Sequence, residues 1–293
     1  MDGGITRRDF LAGGAAGALA LALGRPVGGA ELFAAKQPTS TVVLIRRRNA
    51  VAPGGRVHGG VVAEMIDEAV ATFAGVKDPS EAWARYIRPA DTVGIKISRC
   101  QWMRVHVEQA TIDAVRTRVA GGGVAAGRIH VKDAGLPVAQ CTALVSLPSI
   151  KVHRSVGIAC SIKNYINFTP KPSVYHKGLG ARLGEIWTRP HVKGKTRLIV
   201  VDALRPYFGP GPQINPVYRW DYGGILVGTD PVAIDTLAIA LMRRKRDAFK
   251  GEPWPLNPPP RVIPAAETVY HLGTCDPQKI RLVRLGDTDG MIV

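Results

Sequence analysis

Residues 146–167 read Ser146-Leu-Pro-Ser-Ile-Lys151-Val-His153-Arg-Ser-Val156-Gly-Ile-Ala-Cys160-Ser-Ile-Lys163-Asn164-Tyr-Ile-Asn167. Upstream, Thr142 to Leu147 has the composition of a short buried strand. Pro148 stops it, because proline lacks the N–H that a central strand spends on its neighbour. In the extended piece that follows, Lys151 and His153 are two apart and so project to the same face. Val156 to Asn167 reads as a helix, with Ile158, Ile162, Tyr165 and Ile166 on one side at about 100° per residue. Lys163, Asn164 and Asn167 then share the opposite flank. A strand meeting a helix at a sharp turn points both basic sets into one cavity at the strand's carboxyl end, where open α/β sheets place ligands.

Taken singly, each of these lysines could be a charge on a solvated face. As a group they differ: the stretch has no Asp or Glu, its neighbours are apolar, and a further histidine follows at His176. Partly buried cations with no acid beside them call for an anionic partner.

Outward from this stretch, strands and helices alternate. Thr41 to Ile45 is a strand, and Val61 to Phe73 has the apolar spacing of an amphipathic helix. Thr92 to Ile97 is a second strand, with Lys96 at its end. Val107 to Val119 is a helix stopped by Gly121 to Gly123, and Arg128 to Asp133 is a third strand. The order predicts an α/β fold: a mostly parallel mixed sheet with helices on both faces and long Pro/Gly loops.

In the second half, Asn167 to His176 is a loop with Pro170 and Pro172, a setting in which ligand contacts are common. Arg197 to Asp202 is a strand ending in an acid. Ala203 to Tyr222 has no periodicity, contains Gly209-Pro-Gly211-Pro212, and reads as a lid or binding loop. After a strand near Ile225 to Gly228, Asp230-Pro231 starts a helix, with a capping acid and proline in the first turn. Asp235 falls in the apolar arc of Ala238, Ile239 and Met242. A buried acid there calls for a metal or a cation, which Lys96, Lys151 or Lys163 could supply. Arg243 to Arg246 reads as a basic run at that helix's C-terminus, where the macrodipole favours it. Ile280 to Leu285 is the last strand.

The chain has 293 residues, 46% of them hydrophobic, enough for a substantial core. With 39 Lys and Arg against 23 Asp and Glu, the net charge is +16. Near the N-terminus, Arg7-Arg8-Asp-Phe10-Leu11 precedes an uncharged Ala/Gly/Leu run from Ala12 to Gly24, the pattern of a twin-arginine export signal. The run is shorter than the roughly 20 residues of a membrane-spanning helix, so no stable membrane span is expected. Cleavage after Ala30 or after Ala35 fits, and residues 36–293 read as a single domain. Residues 1–35 hold three basic and three acidic residues, so their removal leaves the charge at +16. The expected partners are the export machinery and a small anionic ligand in the periplasm or beyond. Nucleic acid is not among them. The four cysteines, Cys100, Cys141, Cys160 and Cys275, form no C-x-x-C pair and leave buried thiols, one disulfide or an iron–sulfur site open.

Together the motifs resemble the bacterial and archaeal family known as domain of unknown function 362. The resemblance rests on Val93-Gly-Ile-Lys-Ile97, Leu147-Pro-Ser-Ile-Lys-Val-His153 and Ser161-Ile-Lys-Asn164. His176, Val201-Asp202 with Gly209-Pro-Gly-Pro212, and Gly228-Thr-Asp-Pro-Val-Ala-Ile-Asp235 complete it. The family pattern usually has Pro-Asn where this chain has Ile97-Ser98. Many relatives carry a fused ferredoxin-type iron–sulfur module, which implies redox work for some; this chain has no such cysteine series.

The leading expectation is an exported enzyme acting on a small carboxylate or phosphate. Lys96, Lys151, Lys163 and Asn164 bind the anion, His153 or His176 acts as acid or base, and Asp202 and Asp235 orient these groups or hold a cation. A second reading makes His153, His176, Asp202 and Asp235 a centre for a divalent metal or iron. A third is a non-enzymatic binding protein of the cell envelope that uses the basic surface. No phosphate-binding P-loop, dinucleotide fingerprint, nucleophile elbow or zinc-protease helix is present.

Overall fold

The computed structural model of the protein describes residues 40–100, 105–211, 214–291 and 293. The first half contains strand β1 (Ser40–Arg46), helices α1 (Gly59–Ala74) and α2 (Pro79–Ala84), strand β2 (Val93–Ile97), and a small ribbon of β3 (Arg99–Cys100) and β4 (Val105–His106). Helix α3 (Gln109–Gly121) and strand β5 (Ile129–Lys132) follow, then β6 (Ala143–Leu147), β7 (Ser149–His153), β8 (Gly157–Ala159) and the single turn α4 (Ser161–Asn164). The second half adds β9 (Thr196–Tyr207), β10 (Gly224–Gly228), α5 (Pro231–Lys250), α6 (Val262–Thr268) and β11 (Ile280–Gly286).

Nine strands form one sheet in the order β11-β1-β10-β9-β6-β2-β5, with β7 and β8 continuing beside the far half of β9. Strands β2, β5, β6 and β9 run parallel, as do β7 with β9 and β1 with β11; β10 and β8 run against their partners. Side chains alternate across this sheet. Val42 and Leu44 enter one core, with α5 and α6, while Val43 and Ile45 enter the other, with α1, α2 and α3. The expected α/β architecture with helices on both faces is the one found.

Local chemistry explains the main boundaries. Helix α1 ends at Gly75, whose φ of 70° is the left-handed cap that glycine adopts without cost. Helix α5 starts as read: Asp230 Oδ1 accepts from the Val232 and Ala233 amides at 2.8 and 2.9 Å, with Pro231 in the first turn. Pro148 divides one strand path into β6 and β7, and its carbonyl accepts from the Asp202 amide at 2.8 Å.

Three sequence readings change. Val156 to Asn167 is not a continuous helix. His153 pairs with Gly157 in a hairpin turning through Arg154-Ser155-Val156, and helix begins only at Ser161. A short apolar run buried on both sides has no period that separates strand from helix. Gly157, at φ 80°, could not be replaced, since a Cβ would come within 2.6 Å of the Pro258 carbonyl. Second, β9 does not end at Asp202 but continues to Tyr207. Third, α5 runs to Lys250, which puts Arg243 to Arg246 inside the helix. Arg246 is buried and donates to the carbonyls of Phe208, Trp254 and Pro255 at 2.6, 2.8 and 3.0 Å, so carbonyls and not the helix dipole hold it.

Residues 165–168 and 172–188 wind mainly as 3₁₀ turns, broken by left-handed backbone at Gly178, Leu179 and Gly180. Among the described residues no helix is long and apolar enough to cross a membrane. The export signal read at residues 1–35 lies outside the described residues, as does Pro212.

Candidate functional site

Lys96 ends β2. Because Val93, Ile95 and Ile97 enter the core beneath α1 and α3, alternation sends Lys96 to the other face, where α4 lies. It is 1% exposed, and its Nζ donates to the Ile97 carbonyl at 2.7 Å, to Asp133 Oδ1 at 2.8 Å and to Asn164 Oδ1 at 3.4 Å. Burial lowers its pKa to about 8, opposed by the Asp133 carboxylate. Asn164 Nδ2 in turn donates to the Lys96 carbonyl at 2.8 Å and to Ser146 Oγ at 3.0 Å, and Asn167 donates to Asp133 Oδ1 at 3.0 Å. The first turn after Cys160 is thereby locked onto the carboxyl ends of β2, β5 and β6.

Strand β7 supplies the adjoining wall. Ser149, Lys151 and His153 share one face by period two, while Ile150 and Val152 enter the core. Lys151 is buried, and its Nζ donates to Ser149 Oγ at 3.1 Å. His153 stacks on His176 with ring centroids 5.2 Å apart and planes 17° from parallel. The Ser155 amide donates to His153 Nδ1 at 3.2 Å, which assigns the proton of the neutral ring to Nε2. Burial, then Lys163, His176 and Lys151, push His153 down to about 3. Burial and Lys163 also lower His176, against a hydrogen bond to the Pro172 carbonyl. His153 is therefore a neutral donor near pH 7 and not a titrating acid or base.

These side chains enclose a cavity of about 630 Å³. Among the described residues its wall contains four cations, Lys96, Arg99, Lys151 and Lys163, and one carboxylate, that of Asp133. Cys160 also faces it, held as a thiol because burial and Asp235 raise its pKa well above the usual value. Lys96, Lys151, His153, Lys163, Asn164 and His176, all singled out in the sequence, meet here. Sequence reasoning missed Asp133, Ser98, Arg99 and Ser149. Asp133 directly follows β5 and Ser98 directly follows β2, so the criterion that selected Lys96, a polar residue at a parallel strand's carboxyl end, would have found both.

Asp202 and Asp235 do not line the cavity. On β9, Asp202 shares the face of Val200 and Leu204, which belong to the core under α3. Its Oδ2 accepts from the Glu108 amide at 2.7 Å and Thr111 Oγ1 at 2.9 Å, and its Oδ1 from the Leu204 amide at 2.9 Å. It thus fastens the start of α3 to the sheet. Asp235, on α5, accepts from the Ser161 and Ile162 amides at 2.7 and 3.0 Å, capping α4 from behind. The Cys160 and Ser161 side chains also hydrogen-bond to it, so its partners are neutral groups of this turn and not Lys96, Lys151 or Lys163. Burial raises both carboxylates to about 6, although these hydrogen bonds pull the other way.

The proposed metal set does not assemble. Among the described residues no three His, Cys, Asp or Glu side chains come together in a group that could hold an ion. The cysteines whose side chains are described, Cys141, Cys160 and Cys275, are free thiols.

Fold and site define an α/β protein with a cationic cavity at the carboxyl ends of its parallel strands. Residues 104–240, a little under half of the chain, match the model of a family described as Domain of unknown function (DUF362). That supports the resemblance drawn from the motifs. The matched segment carries Lys151, His153, Lys163 and His176, while Lys96 precedes it. No curated protein and no solved structure matches the chain.

Proposed function

We propose that the cavity binds a small anion, a carboxylate or a phosphate, as the substrate of an exported enzyme. The observation that supports this is the charge of the wall: among the described residues that line it, Lys96 and Lys151, both buried, together with the partly buried Lys163 and the exposed Arg99, face one carboxylate. Desolvated cations raise the free energy of a protein unless an anion meets them, so such a wall favours anionic ligands. In this reading Lys151, Lys163 and Arg99 contact the anion. Lys96, whose three donors are satisfied internally, contributes its field from the floor. His153 offers its Nε2–H, and His176 exchanges protons with the substrate. Asp202 and Asp235 hold the frame.

The expected result is that the folded protein binds inorganic phosphate or acetate and loses this ability when Lys151 and Lys163 are both replaced by Met. A folded K151M/K163M variant that binds as before would overturn the reading. For export, fractionation of cells carrying R7K/R8K is expected to show the protein retained in the cytoplasm; unchanged delivery to the envelope would count against it.

A further inference from the structure

Two hydroxyls of the cavity wall have no part in the reading above. Ser98 follows β2, and Ser149, 4% exposed, opens β7. The Ser149 amide donates to Ser98 Oγ at 3.0 Å, the two Oγ atoms lie 3.0 Å apart, and Lys151 Nζ donates to Ser149 Oγ at 3.1 Å. A hydroxyl has one proton to give and two lone pairs to receive. If Ser149 donates to Ser98, the lone pairs of Ser98 are filled by that bond and by the amide, and the Ser98 proton is left over. If Ser98 donates to Ser149, the lone pairs of Ser149 are filled by that bond and by Lys151, and the Ser149 proton is left over. Either way one O–H has no protein acceptor among the described residues. Both side chains line the cavity, so the surplus donor stands beside the Lys151 ammonium.

The rest of the wall narrows the ligand. Asp133 pairs with Lys96 at 2.8 Å, and among the described residues of the wall Arg99, Lys151 and Lys163 add further positive charge. A monocarboxylate brings one negative charge. A phosphate monoester brings nearly two at neutral pH, on three strongly accepting oxygens. Resting on the reading of the cavity as an anion site, we propose that Ser98, Ser149 and Lys151 form a phosphoryl subsite, and that the ligand is inorganic phosphate or a small phosphate monoester.

The test is calorimetric titration of the full chain with inorganic phosphate, glycerol 3-phosphate and acetate at constant ionic strength. Both phosphates are expected to bind at least tenfold more tightly than acetate; whichever of the two binds better identifies the free ion or the ester as the better mimic. S98A and S149A each keep one hydroxyl able to turn into the cavity, so each should lose no more than about threefold. S98A/S149A keeps none and should lose about tenfold or more, the worth of a hydrogen bond to a charged group. Should that variant not fold, S98A/S149C retains the shape with only a weak thiol donor and is expected to show the same loss. Undiminished phosphate binding in the double variant, or acetate binding as tight as phosphate, would overturn the subsite while leaving the anion site standing. Binding of none of the three probes would overturn both.

Discussion

Lys96 and His153 are both pushed toward neutrality by burial, yet they end on opposite sides of pH 7. Lys96, at about 8, keeps its proton because Asp133 lies 2.8 Å away. His153, at about 3, has cations around it and gives its proton up. Anion affinity should therefore stay flat between pH 5 and 7 as far as His153 is concerned. It should fall as pH rises through about 8, where deprotonation of Lys96 removes a positive charge from the floor of the cavity. Titration of phosphate affinity between pH 5 and 9.5 checks this, with D133N expected to move the fall to lower pH. A step near 6.5 that vanishes in H153N would contradict it. At this scale the sequence was most informative about cations. Lys96, Lys151 and Lys163 were legible because they stand in apolar stretches without acids. Asp202 was misplaced because β9 runs five residues past it, which turned an apparent strand end into a mid-strand position whose face is set by parity.

At the scale of elements, two buried carboxylates do one job in two places. Asp202 ties α3 to β9, and Asp235 ties α4 to α5. An amide side chain has one acceptor oxygen and cannot replace both carboxylate oxygens, so D202N and D235N should each cost about 1–3 kcal/mol, a fall in melting temperature of roughly 3–10 °C. Ligand affinity separates them. D235N loosens the turn that carries Lys163 and Asn164 and should weaken phosphate binding several-fold, whereas D202N, on the other side of the sheet, should leave it unchanged. Calorimetry and thermal denaturation of the two variants check this; equal effects on binding would refute the division of roles. The capping function of Asp235 was invisible in sequence because its partners, Ser161 and Ile162, are more than seventy residues away. The hairpin at 149–159 was hidden for a different reason: its apolar residues satisfy a helical period as well as a strand one. By contrast the start of α5 was legible, since Asp230-Pro231 carries its own local signal.

For the whole molecule, the alternation of strands and helices was sufficient to indicate a largely parallel sheet covered on both faces. The basic character of the chain, +16 overall, is expressed at one point as an internal wall and not only as surface. The central claim is that this wall exists to hold a small anion. Isothermal titration of phosphate into the wild type and into folded K151M/K163M tests it most directly. The account predicts saturable binding by the wild type and a loss of at least about a hundredfold in the variant, as expected for removing two charged donors. Equal affinity in the two proteins, or no binding by the wild type, would contradict it.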